Sequence, residues 1–119
     1  MWIASKWGFY SIVRKPDGIH VRARIREDLE RLLAASGRGV SIQEWPVADY
    51  RWRVVVSPAE LAVLMQTLAD GVDYPNFKAV VASRPDQRAK LGAYHELWTE
   101  LYLLQADATG PRRPAAPSG

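Results

Sequence analysis

Residues 49–70, DYRWRVVVSPAELAVLMQTLAD, hold a strand, a helix start and a helix without a break. Tyr50, Trp52, Val54 and Val56 alternate with Arg51, Arg53 and Val55, the two-residue period of a strand with one face on a core and the other toward water. The aromatic and branched positions form the expected core face. Ser57 then precedes Pro58, with Glu60 three residues past the serine. A serine hydroxyl there accepts from the third helical amide, a proline loses nothing at the first helical position, and the glutamate reaches back to the serine amide. A helix starts at this point. Leu61, Leu64, Met65 and Leu68 recur at helical spacing and form the stripe that lies over the strand, and Asp70 and Gly71 mark its end.

Upstream, residues 7–14 are strand formers, and in residues 19–25 Val21, Ala23 and Ile25 alternate with His20, Arg22 and Arg24. Lys15-Pro16-Asp17-Gly18 lies between them: proline presets the turn, aspartate supports it and glycine takes the positive φ, so the two runs form a hairpin. REDLERLLAASG follows, with Leu29, Leu32 and Leu33 on one side, Glu27 and Asp28 in the first turn and Gly37 as the stop. Val40, Ile42 and Trp45 open a second hairpin that turns over residues 46–49. Downstream, VDYPNFKAVVAS reads as a turn and a short helix with Pro75 at its first position and Phe77, Val80 and Val81 inward. A last helix, capped at Ser83 or Asp86, carries Leu91, Tyr94, Leu97, Trp98, Leu101 and Leu104. The expected fold is α+β: a four-stranded antiparallel sheet in the order ββαββα, followed by C-terminal helices, with the helices packed on one face. Residues 1–106 are expected to form a single domain, and residues 107–119, rich in Pro, Ala and Gly, a flexible tail.

The chain has 119 residues, a length that suits one core, and 48% apolar residues exclude global disorder. It contains no cysteine, which removes disulfides, thiolate metal sites and a cysteine nucleophile. A net charge of +3 is compatible with an acidic partner and does not demand one. Lys6 interrupts the N-terminal apolar residues, so they do not read as a secretory signal, and no eighteen apolar residues follow one another. The cytoplasm is the expected location.

The opening MWI with GFYSIV, then VRARIREDLERL, then DYRWRVVV and, further on, DYPNFK, resemble a family of short proteins found in bacteria, their phages and plasmids, a family without an established activity. The resemblance covers residues 1 to about 102 and implies an intracellular location and no obvious cofactor. It carries no site residues with it.

His95-Glu96 opens like the zinc-protease motif H-E-x-x-H, but Thr99 stands where the second ligand belongs. Gly37-Arg38-Gly39 is too short for a phosphate loop and leads into a strand. Ser57 lacks the flanking glycines of a nucleophile elbow and is explained by capping. No catalytic, cofactor-binding or metal-ligating residue is assigned, and the chain reads as a non-enzyme before it reads as an enzyme. What remains is a charged face. If Val21, Ala23, Ile25, Tyr50, Trp52, Val54 and Val56 face the helices, then Arg22, Arg24, Arg51 and Arg53 point the other way, with Tyr10 or Trp7 beside them. Guanidinium groups beside aromatic rings suit phosphate backbones and unstacked bases; the plainer reading is solvation, with Glu or Asp partners across the strands. The resulting expectation is a small non-catalytic interaction module, in the manner of a mobile-element accessory protein, that binds nucleic acid or an acidic protein surface. The alternative is a small enzyme or ligand-binding protein with a pocket formed by Asp73, Tyr74, Asn76, Lys78, Tyr94 and His95. Finally, Leu97, Trp98, Leu101, Tyr102, Leu103 and Leu104 place apolar groups around more than half of the last helix, so either the short helix near Phe77 or a second copy of the chain covers the excess.

Overall fold

The computed structural model describes residues 1–109, with side chains through residue 105. It comprises two compact units, Met1–Pro75 and a second that begins at Asn76. The first contains β1 (Trp2–Ala4), β2 (Phe9–Lys15), β3 (Gly18–Ala23), α1 (Arg26–Ser36), β4 (Gln43–Glu44), β5 (Trp52–Val56) and α2 (Pro58–Asp70). The strands form one antiparallel sheet in the order β1-β2-β3-β5-β4. The α+β class stands, with five strands where four were expected. The additional strand is β1, whose three residues are too few to display a period. It exists because residues 5–8 reverse the chain: the Ser5 amide donates to the Gly8 carbonyl at 2.9 Å, and the Ser5 hydroxyl accepts from the Trp7 and Gly8 amides. Gly8 is required there by space, since a Cβ would fall 2.3 Å from the Cγ of buried Asp28.

One face of the sheet is a dry core. Tyr10, Ile12, Ile19, Val21, Ala23, Val54 and Val56 pack against Leu29, Leu32 and Leu33 of α1 and Leu64 and Leu68 of α2. Tyr10, expected beside the arginine face, belongs here: its ring is fully buried and its hydroxyl donates to the Asp28 carbonyl at 2.6 Å. The cause is parity, because Tyr10 shares a face with Ile12, and an aromatic body with a hydrogen-bonded tip is at home in a core. Ile25, expected in the core, is exposed, because β3 ends at Ala23 and Ile25 is the residue before α1. The hairpin turn between β2 and β3 is as read, with Gly18 at a φ of 140°. The α2 start is also as read: the Ser57 side chain accepts from the Glu60 amide at 3.2 Å, and the Glu60 carboxylate accepts from the Ser57 amide at 2.9 Å.

The second unit contains α3 (Phe77–Ser83), a 3-10 turn over Arg88–Lys90 and α4 (Leu91–Thr109). Asn76 caps α3 by accepting from the Ala79 amide at 2.9 Å, so Pro75 precedes the cap and does not open the helix. Neither Ser83 nor Asp86 caps α4; the chain turns through residues 84–90 before Leu91. The backbone of α4 reaches Thr109, and the remainder of the expected tail, residues 110–119, lies outside the described residues. Among the described residues no helix is long and apolar enough to cross a membrane.

Candidate binding face

The strand registers fix what lies on the face turned away from α1 and α2. Trp2 is opposite Ser11, Ser11 opposite Arg22, Val13 opposite His20, His20 opposite Val55, and Arg22 opposite Arg53. Side chains at paired positions share a face, so these residues form one surface. Its outer end is aromatic: Trp2 is 66% exposed and meets Phe9 edge-on at 5.9 Å between ring centroids. Its centre is polar.

The expected flat row of four arginines is not what the strands present. Residues 45–50 curl over the sheet, with the Trp45 amide bonded to the Arg51 carbonyl at 2.6 Å and the Ala48 amide to the Trp45 carbonyl at 3.0 Å. The Trp45 ring lies 4.0 Å from the Arg53 guanidinium, and Arg53 is only 2% exposed. Arg53, expected on the solvent side, is therefore a buried cation, because a connecting segment covers the face to which strand alternation correctly directs it. Arg53 Nη1 lies 3.2 Å from Nδ1 of fully buried His20, and Nη2 donates to the Tyr50 carbonyl at 3.0 Å. His20 Nε2 lies 2.7 Å from Asp17 Oδ1. An arginine only donates, so Nδ1 must accept and the imidazole proton sits on Nε2, directed at Asp17. That hydrogen bond is the main reason the Asp17 carboxyl is held below the usual aspartate value. Burial, and next the Arg22 charge, lower the Arg53 pKa, while Asp49 and Asp17 oppose them.

Tyr50 also departs from expectation. It is buried, but it lies outside the core under the helices: the Arg22 and Arg24 guanidinium groups lie 4.7 and 4.3 Å from its ring centroid. The strand begins only at Trp52, so the alternation does not extend back to Tyr50. Arg22 Nη2 donates to the Ser11 hydroxyl at 2.7 Å, and Arg24 Nε to the Asp49 carbonyl at 3.4 Å. Arg51 alone of the four has the carboxylate partner that a solvating role implies, with Nε 2.7 Å from Glu44 Oε2, and it also lies against Trp52. Among the described residues Arg22, Arg24 and Arg53 make no ion pair with a carboxylate. Ser11, His20 and Trp45 complete this cluster and were not singled out from sequence. The available signal was a histidine at an outward strand position beside Arg22.

The residues of the alternative pocket are distributed between the two units. In the first, Asp73 accepts from Lys6 Nζ at 2.9 Å, and Tyr74 lines an apolar cleft of about 240 Å³ with Trp7 and Met65. In the second, Asn76, Lys78 and Tyr94 line a groove of about 280 Å³ with Phe77, Trp98 and Leu101. His95 stacks on Trp98 at 6.2 Å, which in turn stacks on Tyr102 at 5.4 Å, with Lys78 Nζ over the Trp98 ring. Leu101, Tyr102 and Leu104 are exposed on α4, whereas Leu103 is buried. Among the described residues no three His, Cys, Asp or Glu side chains are grouped to hold a metal.

No family model, curated protein or solved structure matches this chain significantly.

Proposed function

We propose that the protein is a small interaction module of the cytoplasm that binds single-stranded nucleic acid on the sheet face turned away from α1 and α2. The observation that carries this reading is the pairing, on one face, of exposed Trp2 and half-buried Phe9 with Arg22 and Arg24, whose guanidinium groups lie over the Tyr50 ring and make no carboxylate pair among the described residues. An exposed ring stacks on bases of any sequence, and cations without a carboxylate partner interact with phosphates. An acidic protein surface would engage the same cations but gives no role to Trp2. Titration with a labelled oligothymidylate at low salt tests the reading. Binding is expected to weaken as salt rises, to weaken further in an Arg22→Glu, Arg24→Glu variant and to weaken in Trp2→Ala. No binding at low salt ends it.

A second surface is proposed for self-association. Trp98, Leu101, Tyr102 and Leu104 are 37%, 54%, 40% and 62% exposed on α4, a contiguous apolar stripe of the kind that pairs across a two-fold axis. Sedimentation of wild type and of a Tyr102→Glu, Leu104→Glu variant decides this, and a wild type that is monomeric at micromolar concentration removes the homodimer.

A further inference from the structure

We propose that Arg22 and Arg53 together form an anion site that takes a phosphate group, with the Arg53 Nε–H and the Arg22 guanidinium as its donors. The proposal rests on the nucleic-acid reading for the source of the phosphate, and on the structure for the site. The two arginines are directly opposite each other on β3 and β5. Like charges at paired strand positions repel, and burial removes the water that would screen them. Yet every acceptor they use directly is neutral. Arg53 engages the His20 ring and the Tyr50 carbonyl, and Arg22 engages the Ser11 hydroxyl and carbonyl. Asp17 is reached only through His20.

Arg53 is nine-tenths and more buried, and its Nε has no hydrogen-bond partner among the described residues. A buried donor left unsatisfied is costly, and one on a cation more so. The Arg53 Cζ lies over the Trp45 ring at 4.0 Å, a cation–π contact in which the ring offers no oxygen or nitrogen acceptor to Nε. The adjacent Arg22 is only half-buried, so part of the arginine pair meets solvent. Two guanidinium groups supply several N–H donors in planar forks, a match to phosphate oxygens more than to a single carbonyl.

The Arg53 Nε–H resonance of the full chain reads the site directly. It is followed in nitrogen–proton NMR spectra during titration with inorganic phosphate and, separately, with oligothymidylate, both at constant ionic strength. Both ligands are expected to shift it, and Arg22→Gln is expected to weaken the phosphate response by about tenfold, the loss of one charge-assisted contact. A response to inorganic phosphate alone supports the site, assigns it to free phosphate or a phosphomonoester, and removes the nucleic-acid reading. Oligothymidylate binding that leaves Arg53 Nε–H unmoved overturns the site and leaves that reading standing, while no response to either ligand overturns both. Thermal unfolding gives an independent decision that needs no Arg53 variant. A rise in Tm with phosphate over chloride in wild type, absent in Arg22→Gln, supports the site; an equal rise in both proteins overturns it.

Discussion

His20 and Val21 are neighbours in the chain, both are fully buried, and they are buried on opposite faces of the same sheet by unlike means. Beneath α1 and α2, Val21 lies among Tyr10, Leu29, Leu32 and Leu64, where apolar area removed from water supplies the stability. On the other face His20 is held by hydrogen bonds with Asp17 and Arg53 and by a T-shaped contact with Trp45. A dry core tolerates loss in proportion to volume. A buried polar network fails by leaving partners unsatisfied.

Substitution on the two faces should separate these mechanisms. The largest effect is expected under the helices: Leu64→Ala should cost about 2 to 5 kcal/mol in urea denaturation, by lost transfer and an incompletely closed cavity. On the opposite face Arg53→Met should cost about 1 to 3 kcal/mol, because it strands the His20 Nδ1 acceptor and the Tyr50 carbonyl. The same arginine change made in a His20→Leu background should cost less, and strict additivity of the two would show that the network is not one unit. Ser57→Ala, at the α2 cap, should cost about 1 kcal/mol.

Acid separates the faces as well. The folded state holds Asp17 below the usual aspartate value through His20, and holds Glu60 below the usual glutamate value through the Ser57 amide and hydroxyl. A lowered folded value means that the ionised form is favoured on folding. The stabilisation is therefore complete above the unfolded carboxylate values and is lost as pH falls through the lower, folded ones. Asp17→Asn should flatten the acid limb of a stability profile, and a limb of unchanged slope would dissociate Asp17 from the network. The smallest effect on stability is expected from Trp2→Ala, within about 0.5 kcal/mol, since the ring is mostly in water; its expected consequence is in binding.

The legible parts of the chain were those in which one local rule acts alone. The Ser57, Pro58 and Glu60 start of α2, the turn at Gly18 and the leucine stripes of α1 and α2 need nothing beyond neighbours in sequence. Strand alternation directed Arg22 and Arg53 to the face away from the helices. It carried no information on the curl of residues 45–50, which converts Arg53 from a surface charge into a buried one beneath Trp45. Tyr10 was misplaced because β2 has aromatic or aliphatic residues on both faces, Phe9 and Val13 on one and Tyr10 and Ile12 on the other, so its period does not declare which side is core. The candidate site was half legible for the same reason: its charges lie on strands, and the rings that organise them come from a turn.

The central claim is that the face bearing Trp2, Arg22 and Trp45 is the one that binds. The five tryptophans sample the molecule well enough to test it, because Trp2 and Trp45 lie on that face, Trp7 and Trp52 border the core under the helices, and Trp98 lies on α4. During titration with oligothymidylate at low salt, the indole N–H resonances of Trp2 and Trp45 should shift while those of Trp7, Trp52 and Trp98 stay in place. Shifts centred on Trp98, or none at Trp2 and Trp45 when the oligonucleotide binds, would contradict the account.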